Sequence, residues 1–321
     1  MPAMTYVEYA KGVEDPLQRA IIELWPENVD FFGAIPFVNA PGGVYRYQQE
    51  GALADNVAFR AINELPSSGF GLLNDAVEQV YPLAGNLDVD RVLVRRHGEA
   101  QRSIRINMQM KRKAKKWADT FIFGNNATNP KEFTGLKTRL RSIGGSVDGT
   151  NYKSRILANS ASSGGGALSL AQLDRAIDLV ERPNAILMPK SLKGRFPAAQ
   201  RDTSIGGYIE VKPQEFGEEQ VRYRGIPIYT GYGITNFGEF LPFNEVAAGG
   251  GSAVTGSIYV VRFSEDGVAG LETAPMEVTD MGLLEDGVSM RINIEHDVGM
   301  AVFDPFSAIR LSSITNAAIV K

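Results

Sequence analysis

The chain has 321 residues, with 44% hydrophobic and 22% charged, the make-up of an ordinary globular protein rather than a disordered one. Its net charge of -4 excludes a generally basic nucleic-acid binder, and the absence of cysteine excludes disulfides, thiol catalysis and thiolate metal sites. With only His97 and His296, no apolar run long enough to span a bilayer and no signal-peptide pattern at the start, the expectation is a soluble, cytoplasmic product without metal, cofactor or membrane partner.

In chain order, Asp15-Pro16 predicts a short helix with a capping residue and proline in its first turn, stopped by Pro26. Gly33, Pro36, Pro41, Gly42 and Gly43 then predict an extended arm outside any core. Val44–Gln49 and Asn56–Ile62, with a break at Gly51, predict a long polar hairpin that must lie on another surface. Leu72, Leu73, Ala76, Val77 and Val80 recur at helical spacing, so a helix is expected before Pro82 and Gly85, and a short strand over Leu87–Val94.

Glu99–Phe123 is the most helical segment. Its 25 residues would span about 37 Å. Ile104, Met108, Ala114, Trp117, Ala118, Phe121 and Ile122 give an apolar stripe, and Arg102, Arg105, Lys111, Arg112, Lys113, Lys115 and Lys116 give the opposite face. Residues 144–168, rich in Gly, Ser and Asn, predict a flexible loop at a domain boundary. Ser169 and Gln172 match a capping box ahead of a helix with Leu170, Leu173, Ile177 and Val180. A strand at Ala185–Met188, a helix near Lys190–Gln200, and strands at Gly207–Val211, Val221–Tyr229 and Ser257–Phe263 follow. Val288–Glu295 alternates cleanly as a half-buried strand. The order of elements is that of an α+β fold.

Motifs that carry chemistry are scarce. Gly251 and Gly256 have phosphate-loop spacing, but Ser257 stands where the lysine is needed, so a plain loop is the better reading. Asp88 and Asp90 share one face of a strand and could form an acid–base pair, although salt-bridged or solvated roles fit two isolated carboxylates better. Charge falls in blocks: -6 over residues 1–98, +9 over 99–160 and -7 over 161–321. A basic middle between acidic flanks predicts charge pairing within the chain or between copies.

The series of segments resembles the major capsid proteins of tailed double-stranded DNA phages, with the Hong Kong 97 type fold. Val44–Phe59 followed by Arg60-Ala-Ile-Asn-Glu looks like the family's extended loop, and Glu99–Phe123 like its spine helix. The run Phe123-Gly-Asn-Asn-Ala-Thr-Asn-Pro-Lys-Glu-Phe-Thr-Gly-Leu136 is the most specific piece. Ser169–Met188, Tyr223–Ile228 with its Gly-Ile-Pro turn, Met281-Gly-Leu and Arg291–Phe306 follow in the expected order.

The resemblance implies an N-terminal arm (1–40), an extended loop (41–70), a peripheral domain (71–160 with 276–321) and an axial domain (161–275). It implies a non-enzymatic coat protein, assembled in the host cytoplasm and resident in the virion. Its copies would form pentamers and hexamers of an icosahedral shell around double-stranded DNA, held without sequence-specific contacts. Separate scaffolding, portal and decoration proteins would be its partners; the arm begins too early in the chain to leave room for a built-in scaffolding segment. Arg46, Arg60, Lys111, Arg112, Lys113, Lys115 and Lys116 are the expected subunit-interface residues. Some family members join subunits by a lysine–asparagine isopeptide bond from the extended loop; residues 12–110 contain no lysine, so that nucleophile is missing. Alternatives are an encapsulin-like cargo shell, a phage tail or head-completion protein, and an acid–base hydrolase or a transferase built on Asp88 and Asp90.

Overall fold

The computed structural model describes residues 30–52, 56–144, 155–201, 209–213, 219–231, 238–274 and 276–321. The helix expected at Asp15–Pro26 lies outside them. From the N-terminal side come β1 (Phe37–Asn39), β2 (Val44–Ala52), β3 (Leu72–Gln79), β4 (Tyr81–Pro82) and β5 (Gly85–Asp90). Three helices follow: α1 (Arg91–His97), α2 (Glu99–Phe123) and α3 (Leu136–Gly144). The next stretch holds β6 (Ile156–Ala158), α4 (Leu170–Asp178), β7 (Ala185–Leu187), α5 (Lys190–Lys193), α6 (Phe196–Gln200), β8 (Ile209–Pro213), β9 (Glu219–Tyr223) and β10 (Ile226–Tyr229). The last is all strand: β11 (Glu245–Val246), β12 (Ala253–Val261), β13 (Val268–Glu272), β14 (Glu277–Leu283), β15 (Ser289–Glu295), β16 (Asp297–Val302) and β17 (Ala308–Ile314).

The organising element is a mixed sheet in the order β6-β17-β12-β7-β10-β9-β8, with β11 on β12. Because side chains alternate across a strand, this sheet feeds two cores. Ala185, Leu187, Tyr259, Val261 and Ala308 face the core built on α2. Ile186, Ile258, Val260, Ile309 and Leu311 face the core built on α4, α5 and α6. A four-stranded sheet (β1-β13-β16-β4) and a three-stranded sheet (β14-β15-β5) complete the α2 side.

Helix α2 has the limits expected from sequence, between Gly98 and Gly124. Its buried stripe is Ile106, Met110, Lys113, Ala114, Trp117, Ala118, Phe121 and Ile122, whereas Ile104 and Met108 are exposed. The expected stripe therefore matches in the C-terminal half; in the first half the buried residues stand two positions on, about 200° around the helix from Ile104 and Met108. Against it packs the segment read as an arm outside any core. Phe31, Phe32, Ile35 and Phe37 are buried, and the Phe32 ring lies 4.7 Å from Trp117. The prolines and glycines of this segment do set an extended path, since β1 pairs in parallel with β13, but its aromatics are core. Gly270 makes the approach possible: a Cβ there would come within 2.4 Å of the Phe37 ring.

Several further expectations change. Leu72–Gln79 is a strand and not a helix, and it, rather than Asn56–Ile62, pairs with β2. The apolar spacing suits either period, and the cross-strand partner decides it; Gly51 sits at a register shift within β2 and does not end it. The strand predicted to reach Val94 stops at Asp90, whose carboxylate accepts the Val92 N–H at 2.6 Å and starts α1. Residues 155–169 are no loose linker: β6 pairs in parallel with β17, and Gly166 bridges Ile314. Ser169 makes no cap bond; its hydroxyl donates to the Lys321 carbonyl instead. Gly256 and Ser257 lie inside β12, with Ser257 buried, so the phosphate-loop spacing is a strand.

Candidate subunit interface

The hairpin of β2 and β3 is the least self-covered element. Its root is clamped. Tyr45, Tyr47 and Gln49 point to one side of β2, where Tyr47 meets the Phe303 ring edge-on at 4.8 Å and donates its hydroxyl to the Val302 carbonyl at 3.1 Å. Gln49 Nε2 donates to the same carbonyl at 2.9 Å. From β3, Glu78 forms a two-pronged pair with the Arg139 guanidinium, and Arg139 Nη2 also donates to the Met300 carbonyl at 3.1 Å. This ties the hairpin to α3 and β16 at once. Burial, and then the neighbouring Glu78 carboxylate, push the Tyr47 hydroxyl up to about 12, so it stays a donor at any physiological pH.

Beyond the root nothing in the described chain covers the hairpin. Val57, Phe59, Ile62, Leu65 and Phe70 are all at least 90% exposed. The loop still has internal order: Asn56 and Ser67 exchange hydrogen bonds at 3.0 Å, and Arg60 Nη1 donates to the Glu64 carbonyl at 2.9 Å. Arg46 is exposed on the outer side of β2, and Arg60 at the loop tip is held by its own loop. These two expected interface residues sit on a different element from the five on α2.

The α2 cations do not form one face. Lys111 and Arg112 are exposed, and Lys115 is half-buried. Lys116 pairs with Glu132 at 2.6 Å within the chain. Lys113 is only 7% exposed; it faces the β14-β15-β5 sheet, where its Nζ donates to the Ile294 carbonyl at 3.3 Å. Burial pushes its ammonium down to about 7, a shift that the Glu295 carboxylate opposes. Burial likewise holds the Asp119 carboxyl above its usual range. Arg112, Lys113 and Lys116 nonetheless converge on one cleft of ≈ 290 Å³ between α2 and the start of β5. Helical periodicity alone places Lys113 beside Met110 and Trp117; that was the available sign that it turns inward.

The acid pair has structural work. Asp88 takes both prongs of Arg291 at 2.6 Å, which draws its carboxyl below the ordinary range, and Asp90 caps α1. The His296 ring is buried beside Glu272, and burial lowers its basicity. The side chain of His97 lies outside the described residues. Among the described residues no group of three His, Asp or Glu is placed to hold a metal, and no helix is long and apolar enough to cross a membrane. Sequence reasoning missed the exposed loop apolars and the Glu78–Arg139 clamp. The first left a trace, apolar residues spaced through a Gly-, Pro- and Ser-containing run; the second joins positions 61 apart and left none.

No family model matches the chain, and no curated protein is similar to it in sequence. Its fold is shared with shell proteins. The holo-SrpI encapsulin complex from Synechococcus elongatus matches with a TM-score of 0.61 and 15% identity, over 98% of this chain and 97% of that one. The capsid of a native GTA particle matches with a TM-score of 0.61 and 16% identity, over 87% and 88%. A chain of Mycobacterium phage Adephagia matches with a TM-score of 0.59 and 10% identity, over 98% of each. The fold is the Hong Kong 97 type capsid fold in the α+β class, as the order of segments implied.

Proposed function

We propose that this chain is a structural coat protein, the major capsid protein of a tailed phage, whose copies close into an icosahedral shell of pentamers and hexamers around double-stranded DNA. The observation that carries this reading is the hairpin: a root fixed by Tyr47, Gln49 and Glu78, and a tip whose five large apolar side chains have no cover among the described residues. Exposed apolar surface on that scale marks an interaction site. A tip repeated identically on every copy and seated on the next copy is a heterologous contact, which builds rings and closed shells.

In this reading residues 1–40 act as an arm, 41–70 as the extended loop, 71–160 with 276–321 as the peripheral domain and 161–275 as the axial domain. Both cores cross the last boundary: Ala185, Leu187 and Tyr259 join the core on α2, and Leu157, Ile309 and Leu311 join the core on α4. The protein resides in the virion and assembles in the host cytoplasm, with separate scaffolding, portal and decoration proteins as partners. Its role is mechanical, not catalytic. Asp88 and Asp90 are engaged by Arg291 and by the first turn of α1, which weighs against the hydrolase reading.

A second reading, a nanocompartment that encloses protein cargo, is favoured by the encapsulin likeness, which spans nearly the whole chain. Electron microscopy of the purified protein, followed by nuclease treatment of opened particles, separates them. The phage reading expects shells and DNA contents; shells filled with protein favour the second reading, and a compact monomer under all conditions contradicts both.

A further inference from the structure

The cleft between α2 and the start of β5 is lined by three cationic side chains. Gly85, Gln109, Arg112, Lys113, Lys116 and Ile294 line it, with a volume of ≈ 290 Å³. Gly85 has no side chain to close it: Gln109 Nε2 lies 2.6 Å from where a Cβ would stand. Leu83 and Lys116 are shared with an adjoining cavity of ≈ 40 Å³, which Trp117 also lines. The Trp117 indole N–H is buried and finds no acceptor. So three cations line the cleft, and Trp117 lines only the smaller cavity beside it.

Lys113 is the informative residue. Burying an ammonium costs stability, and an apolar side chain of similar length would fill the same place at lower cost. Its basicity is depressed because its local partners offset burial only in part. An arriving carboxylate would restore the charged form and offset that cost. A chain that keeps a lysine here tolerates a less stable subunit in return for a contact made elsewhere.

We propose that this cleft is a binding site for an Asp or Glu side chain presented by a second copy of the chain. The proposal rests on the shell reading above and deepens it. Charge complementarity selects the occupant: the +9 block that holds the cleft is flanked by blocks of -6 and -7 on the same chain, so every neighbouring copy brings an acidic surplus. The lining fits it too. Leu83 and Ile294 give the cleft an apolar part beside its cations, which suits the stem and carboxylate of a side chain, whereas a duplex presents rows of phosphates.

The test uses particles assembled from a mixture of ¹⁴N- and ¹⁵N-labelled chains, treated with a zero-length carbodiimide that couples amines to adjacent carboxylates, and read by peptide mass spectrometry. The expected result is mixed-isotope peptides joining Lys113 or Lys116 to an Asp or Glu. Particles that yield only same-isotope links at these lysines, such as Lys116 to Glu132, overturn the cleft and leave the shell reading intact. Formaldehyde adducts that place Lys113 or Lys116 against DNA make it a nucleic-acid site and also overturn the proposal. As a second measurement, shells of Lys113→Met should dissociate at a lower guanidinium concentration than parent shells, while the free subunit unfolds at an equal or higher one. Equal shell dissociation for the two proteins contradicts the proposal. Chains that form no particles at all reject the shell reading and the cleft together.

Discussion

Lys113 and Glu78 show how single side chains on this scaffold carry opposite costs. Lys113 is buried at the expense of folding. Its unfolded value is near 10.5 and its folded value near 7, so between those limits the unfolded chain binds a proton that the folded chain does not. Subunit stability therefore rises with pH across that window, and the penalty is fully present below it. Lys113→Met removes the penalty and should stabilise the subunit by about 1–4 kcal/mol at pH 6, with the gain shrinking towards pH 10.5. Denaturant titrations at the two pH values check both the sign and the trend. Glu78 works the other way. It satisfies a guanidinium that is mostly buried, so Glu78→Ala should cost about 1.5–3 kcal/mol and loosen the hairpin root. Hydrogen exchange should then speed up in β2 and β3 before it does in α2.

At the scale of elements, what was legible depended on whether the deciding contact was local. Helix α2 was readable because its period, its length and its flanking Gly98 and Gly124 are all local signals. Strand β15 was readable from the alternation of Ile292 and Ile294 with polar neighbours. The stretch Leu72–Gln79 was misread because its apolar spacing fits a helix, while its true partner is β2, with Val44 opposite Gln79. Phe31, Phe32 and Phe37 were read as an arm because glycine and proline mark a chain without regular structure, yet they say nothing about burial. Of the cations expected at an interface, Lys111 and Arg112 face solvent, whereas Lys113 and Lys116 are turned to internal partners.

The hairpin tip gives the sharpest element-level expectation. Replacing Phe59, Ile62 and Phe70 by Ser should leave subunit stability within about 0.5 kcal/mol of the parent, because these side chains have no cover among the described residues. The same triple variant should fail to assemble. A subunit that loses several kcal/mol in denaturant would mean that the tip folds back on its own chain.

The whole molecule combines a stable two-core body with a projecting loop that lacks lysine. Residues 12–110 carry none, so the loop offers only Arg46 and Arg60, and a guanidinium stays protonated and cannot act as an amine nucleophile. If copies of the chain form a shell, tip apolars and cleft cations would each add a small amount of cohesion per copy. Mature particles boiled in detergent should run as a single band near 34.9 kDa. A ladder of covalent oligomers would show that another lysine has taken over the linking role.

The central claim is that the chain is built to close into shells with its copies. Multi-angle light scattering across a concentration series, with and without co-expressed scaffold, measures this most directly. Shell closure predicts a jump from subunits or capsomers to particles of uniform mass many times 34.9 kDa, with few intermediates. A particle that stays at the mass of one compact chain at every concentration, with its apolar hairpin tip exposed and inert, would contradict it.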